Sequence, residues 1–308
     1  MIKIRPVSAT LEDRYLKDNL PSFEKMLGSM LSKVKYAKLI HYLSTDGQLD
    51  GIKIKNLLIG DITELTRAVS SIGKIEGEKE EEGFHKLYKN FTDRKLGKEW
   101  AEKIGVTICP YCNRSYIYTL KKSGIRPQYD HYFPKSRYPY LALSMYNLIP
   151  CCAICNGAKQ DFDTFNSATG EENFIYPFRD AYRTEIFFQT SCKGNMDVWL
   201  GSSGRFELKI ETAGIVDPKL KKRGEEAQKQ LKLNELYGKH KDYVQDIIRT
   251  TYIYNKAYFE GLADSFPMIF NSEQEAENLI YMNYLDEENW DKRILAKLTY
   301  DIKKEYQA

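Results

Sequence analysis

Residues 147–159 read NLIPCCAICNGAK. The C-x-x-C pair Cys152 and Cys155 has a two-residue spacer, which lets a tight turn aim both thiolates at one point. One such pair reads equally as a redox couple or as half of a metal site. A second pair, Cys109-Pro-Tyr-Cys112, lies upstream, and together they supply the four sulfurs of a tetrahedral structural zinc site. Cys151 also competes by position, but the C-x-x-C spacing favours Cys152 as the ligand. Cys192 stands alone and reads as a plain buried thiol. The 39 residues between Cys112 and Cys152 exceed the roughly 15–20 of a simple zinc ribbon. A folded segment is therefore expected between the two knuckles.

That segment contains YDHYFPKSRYPY, residues 129–140, and one of only four histidines in the chain. Residues 109–160 carry seven basic side chains against the single acidic Asp130, although the whole chain is only +3. A basic patch concentrated on so short a stretch is the footprint expected for a polyanion partner. The aromatics Tyr129, Tyr132, Phe133, Tyr138 and Tyr140 read as the core of a small module rather than as a base-stacking platform. Of the other histidines, His240 lies on an apolar helical stripe and reads as a core residue, while His41 and His85 suggest no partner.

At 308 residues, 42% apolar and with a mean hydropathy of −0.54, the chain has the composition of a soluble globular protein. No apolar run is long enough for a membrane span. The opening MIKIRPVSATLEDRYLKDN has no signal-peptide core, so a cytoplasmic location is expected. Phe23, Met26, Leu27, Met30, Leu31 and Val34 form an amphipathic helical stripe. Asp61 and Glu64 have the spacing of a capping box. The acidic run 75–83, IEGEKEEEG, reads as a surface loop, and FHKLYKN and GKEWAEKIG as short helices. EIFFQTS, MDVWLGS and RFELKIE, separated by KGN and GSSG, read as strands of a small antiparallel sheet. Helical periodicity returns from Glu225 along Leu233, Leu236, Tyr237, His240, Tyr243, Val244, Ile247 and Ile248. Further helices are expected over 272–285 and 290–306.

The ordered set C-x-x-C, D-H-x-x-P-K-S, N-L-I-P and C-x-x-C-N-x-x-K over residues 109–160 resembles the HNH endonucleases, also called ββα-metal or His-Me finger nucleases. The letters of the family name would fall on His131, Asn147 and Asn156. The third is often histidine, so this chain is an H-N-N variant. The resemblance implies His131 as general base, Asp130 and Asn156 as ligands of a catalytic Mg²⁺ or Mn²⁺, and Asn147 as a brace across the loop holding the His131 backbone. Lys135, Arg137 and Lys159 are candidate phosphate contacts.

These residue types suit the chemistry independently. A neutral imidazole accepts a proton near neutral pH. Adjacent strand residues diverge unless the strand ends there, and the following FPKS supports a strand end, so His131 is expected at the turn with Asp130 facing inward toward a metal. A carboxylate and an amide oxygen form a hard ligand set suited to Mg²⁺. Asn156 directly follows a zinc-fixed cysteine, so the structural Zn²⁺ would position the catalytic ligand.

The fold class expected is α+β. A zinc-stabilised ββα-metal core (84–172) is flanked by a helical N-terminal region (1–83) and a mostly helical C-terminal region with a small antiparallel sheet (173–308). The expected function is DNA hydrolysis, with RNA not excluded by the same site. A zinc module that binds nucleic acid or protein without cutting is the alternative. The wider chain resembles bacterial HNH proteins of antiphage defence of the Septu type, which implies an ATPase partner. No G-x-x-x-x-G-K-[ST] sequence is present, so any nucleotide dependence is expected from another chain.

Overall fold

Ser8 accepts the Leu11 N–H at 3.3 Å and opens helix α1, Ala9–Gly28. The computed structural model describes residues 1–77, 82–93, 95–120, 122–181, 185–191 and 196–307. Cys192, the KGN turn and part of the acidic run 75–83 fall outside these described residues. The described chain divides into two compact units. One comprises Ile4–Thr107 and Ile117–Arg179, the other Met1–Lys3, Ile108–Tyr116 and Asp180–Ala308. The architecture is α+β, with small antiparallel sheets.

In the first unit, α1 turns Tyr15, Asn19, Phe23, Met26 and Leu27 inward. The apolar period continues in sequence to Val34, but the helix stops at Gly28. Met30 is buried in the following turn, while Leu31 and Val34 face solvent. Helices α2 (Ala37–Tyr42), α3 (Gly51–Ile59), α4 (Ile62–Ile72), α5 (Gly83–Asp93) and α6 (Lys95–Ile104) follow. Asp61 caps α4 as expected, accepting the Thr63 and Glu64 N–H groups at 2.9 and 3.1 Å, while the Glu64 carboxylate pairs with Arg67.

Strands β1 (Gln128–His131) and β2 (Leu148–Cys151) then pair antiparallel, with Gln128 opposite Cys151 and His131 opposite Leu148. Helix α7, Ala153–Lys159, starts immediately after Cys152 and packs on β1. The five aromatics of residues 129–140 are all buried. Their hydroxyls bond backbone or carboxylate, as in Tyr132 to Phe174 O at 2.6 Å and Tyr140 to Gly73 O at 2.9 Å. Every tyrosine in this core thus has an acceptor, which removes the cost of burying its hydroxyl.

In the second unit, β3 (Phe187–Ser191) and β4 (Glu207–Glu211) form a two-stranded hairpin, Phe187 facing Glu211. The stretch expected as a middle strand is instead a single helical turn, Met196–Trp199. Ser202 and Ser203 donate back to Asp197 O, and Gly201 takes φ 67° where a Cβ would sit 2.6 Å from Gln245 O. The helices are α8 (Pro218–Gln230), α9 (Leu233–Tyr237), α10 (Lys241–Ile253), α11 (Lys256–Ser265), α12 (Glu273–Ile280) and α13 (Ala296–Tyr306). The stripe expected from Glu225 is interrupted at Lys232, which is left-handed at φ 52°. The two late helices are shorter than their periodicity because Met282 and Leu295 also take positive φ.

A two-stranded sheet leaves outward N–H groups that need partners. On β3, Phe188 N–H donates to Asp301 at 2.9 Å and Thr190 N–H to Glu305 at 3.0 Å, two carboxylates one turn apart on α13. Asp301 is also paired with Lys297, and both side chains are almost fully buried. Burial pushes the Asp301 carboxyl up and the Lys297 ammonium down from their ordinary values, and the pair resists both shifts. Breaking a buried pair strands its partner at a cost of about 3–5 kcal/mol. Asp301→Ala is therefore expected to lower the urea midpoint strongly. Asp197→Ala, which removes an exposed ion pair with Arg205, should leave it unchanged.

Candidate functional site

The four cysteines expected as zinc ligands converge. The Sγ atoms of Cys109, Cys112, Cys152 and Cys155 all lie within 4.8 Å of one another, and all four residues are buried. Tetrahedral zinc at about 2.3 Å from each sulfur separates the sulfurs by roughly 3.8 Å. The cluster therefore fits a metal ion such as zinc after a small contraction. Local geometry prepares each knuckle. Asn113 turns left-handed at φ 50° and donates its N–H to Cys109 O at 2.8 Å, while Cys109 N–H donates to Ser115 O at 2.9 Å. Cys152 occupies the N-cap of α7, where its Sγ accepts the Cys155 N–H at 3.4 Å. Cys151 is outside the cluster, and burial pushes its thiol well above the ordinary range.

Asp130 and His131 end β1 and diverge, as alternation along a strand requires. Asp130 faces α7. Its carboxylate Oδ1 accepts from Lys159 Nζ at 2.9 Å, with the two side chains 2% and 0% exposed. Lys159 also donates to the backbone carbonyl of His131 at 2.7 Å. Asn156, one turn before Lys159, donates its amide to Gln128 Oε1 at 2.8 Å. Helix positions three apart thus sit over strand positions two apart, so Asn156 and Lys159 read the face carrying Gln128 and Asp130.

His131 lies on the other side of β1. Its Nε2 is 3.1 Å from the carbonyl oxygen of Ala142, and the Tyr88 ring of α5 meets the imidazole edge-on at 4.5 Å between centroids. Burial lowers the His131 pKa to about 3, helped by the positive charge of Lys135 and partly opposed by the Ala142 contact. The ring is neutral near pH 7. Because a carbonyl only accepts, Nε2 carries the proton and Nδ1 the lone pair. The Tyr88 phenol is pushed up to about 12, chiefly by burial.

Asn147 is fully buried and braces the 132–147 loop. Its Oδ1 accepts the Phe133 N–H at 2.7 Å, and its Nδ2 donates to Phe133 O and Leu141 O at 3.1 and 3.0 Å. The bonds fall on Phe133 and Leu141, while the His131 carbonyl is held by Lys159. Lys135 lies 5.1 Å over the Tyr88 ring, and Arg137 is 3.5 Å from Asp163. Both are partly exposed. Lys159, expected as a phosphate contact, is instead sequestered on Asp130, because a buried carboxylate demands a cation.

Three participants were not singled out from sequence. Gln128 is the partner of Asn156, Tyr88 on α5 packs edge-on against His131, and His85, three residues before Tyr88, is near enough to weigh weakly against a charge on the His131 ring. Their helical spacing within FHKLYKN was the available signal. The Ala142 carbonyl belongs to the backbone and left none. The Asn156 and Asp130 oxygens suit a hard divalent cation chemically. As folded, however, the carboxylate already carries an ammonium and the Asn156 amide is bonded to Gln128. No protein-family model, curated protein or solved structure matches the chain.

Metal analysis should find about one zinc per chain, lost in Cys112→Ser and Cys155→Ser and retained in Cys151→Ser. For His131, the folded-state pKa lies below the unfolded value of about 6.5. Its contribution is therefore complete above pH 6.5 and declines as pH falls toward 3, at about 1.4 kcal/mol per pH unit. Urea denaturation at pH 6.5 and 5 should show that slope reduced by about this amount in His131→Gln.

Proposed function

We propose that the chain is a metal-dependent endonuclease that hydrolyses DNA phosphodiester bonds. The observation that carries this reading is His131: a buried imidazole whose Nε2 bonds the Ala142 carbonyl and leaves the lone pair on Nδ1, at the end of β1 and next in sequence to Asp130, which faces the other side of the strand. The order of motifs over residues 109–160 and its resemblance to HNH nucleases support the same reading.

In this mechanism His131 Nδ1 takes a proton from water, which attacks phosphorus as the bond to the leaving oxygen breaks. Asp130 and Asn156 are the residues that would hold a divalent cation, which when bound would neutralise charge on the phosphate and leaving oxygen. Asn147 keeps the loop in register by its three bonds to Phe133 and Leu141. Lys135 and Arg137, both partly exposed, supply positive charge for the phosphate backbone. His131 is only 7% exposed and lies against Tyr88, so the reading requires this side of α5 to yield when substrate enters. A role in antiphage defence beside an ATPase is the biological setting that the wider resemblance suggests.

The same burial favours a second reading, a zinc-stabilised module that binds nucleic acid or protein without cutting. Plasmid and RNA cleavage in Mg²⁺ or Mn²⁺ separate them. The nuclease reading expects the wild type to cut DNA and His131→Ala to lose about 10²–10⁴-fold in rate. Binding of DNA without cleavage, in Mg²⁺, Mn²⁺ and a supplied ATPase partner, would favour the second reading.

A further inference from the structure

Helices α2, α3 and α4 enclose a groove of about 670 Å³, within the size range of small-ligand sites. Each helix contributes one permanent cation to its lining: Lys38 from α2, Lys53 from α3 and Arg67 from α4. Steps of three and four residues link Lys38 to His41 and Tyr42, Lys53 to Asn56, and Glu64 through Arg67 to Ser71. Each helix therefore presents one side to the groove. Glu64 is the carboxylate in the lining, and it already pairs with Arg67. The nearby carboxylates of Asp50 and Asp61 are occupied as N-caps of α3 and α4. With His41 neutral, three cations against one carboxylate leave an excess of two positive charges.

Most of the donors in the groove are uncommitted. Lys53 Nζ gives one bond to Ser44 O at 2.6 Å, and Arg67 gives one nitrogen to Glu64. Among the described residues, the side chains of Lys38, His41, Asn56 and Ser71 have no hydrogen-bond partner. Burial and the Glu64 charge hold the Tyr42 phenol above its ordinary value, against the pull of Arg67, so it remains a neutral donor.

We propose that this groove binds a phosphate monoester of nucleotide size, with the phosphate held among Lys38, Lys53 and Arg67. Such a phosphate carries about −1.5 to −2 charges near pH 7 and three strong acceptor oxygens. That matches three cations brought from three helices and their excess charge. A carboxylate offers a single charge and two oxygens, and would leave part of the lining uncompensated. The Arg67 fork and the two ammonium groups are the donor types that hold phosphate oxygens best. Free phosphate would leave most of the groove to water, whereas Tyr42, Asn56 and Ser71 can orient the polar body of a larger ligand. None of these residues belongs to the proposed nuclease site, so the inference stands apart from that reading.

Titration calorimetry of the full chain, with its cysteine metal in place, tests it with AMP, adenosine, inorganic phosphate and an unphosphorylated DNA oligonucleotide. AMP should bind saturably, at least about tenfold more weakly in Lys38→Gln and in Arg67→Gln. Binding should be unchanged in Lys55→Gln, whose exposed side chain lies outside the lining. No AMP binding, or equal binding by all variants, would overturn the proposal. Adenosine or inorganic phosphate binding as tightly as AMP would overturn it too, by removing the need for the phosphate or for the larger body. Binding of the oligonucleotide alone, lost in the same two variants, would assign the groove to a strand backbone and overturn the nucleotide-sized ligand. A readout on the wild type needs no substitution: AMP should shift the His41 ring resonances and leave those of His240 in place. An unmoved His41 would contradict the assignment.

Discussion

The contact between Lys159 and the end of β1 is the constraint around which the site is built. One ammonium neutralises Asp130 and bonds the carbonyl of His131, so the helix, the strand and the two residues of the Asp-His pair are fixed by a single buried cation. A charge in such a place is stable only where charge and dipoles replace its lost hydration. The pair therefore also dictates register. Lys159 reaches Asp130 only if Asn156 lies over Gln128, and the observed Asn156–Gln128 bond agrees with that spacing. His131 is left to project from the opposite face of β1 toward Ala142 and Tyr88.

Short elements of this kind need outside support. β1 and β2 are four residues each and α7 is seven, too little to bury a core alone. Three sources supply the rest. Four buried cysteines gather the two C-x-x-C pairs at one point. The tyrosines of residues 129–140 fill the interior, with hydroxyls bonded to distant backbone or, for Tyr138, to the Asp163 carboxylate. Asn147 stitches the loop between the strands through three side-chain bonds. Within the described residues no helix is long and apolar enough to cross a membrane.

Much of this was legible in the sequence where a rule has a short range. The C-x-x-C spacing selected Cys152 over Cys151, the Asp61 cap opens α4, and the FPKS that follows Asp130-His131 marked a strand end at His131. The misses share a different physics. Met196–Trp199 has strand-forming residues, yet the backbone turns back on Asp197 through Ser202 and Ser203. Lys232, Met282 and Leu295 take left-handed conformations that their side chains do not advertise, and each interrupts or shortens a helix whose apolar period runs on. Lys159 was expected as a phosphate contact because its type is normally exposed. Only the position of Asp130 across the packing explains its burial. The Ala142 carbonyl that fixes the His131 ring could not be read from any side chain.

The central claim concerns the protonation of one ring, and nitrogen-15 NMR of the histidine side chains near neutral pH tests it most directly. A neutral His131 with the proton on Nε2 and the lone pair on Nδ1 is the result predicted by burial and by the Ala142 carbonyl. An imidazolium, or a neutral ring protonated on Nδ1, would contradict the account and deprive the proposed base of its lone pair.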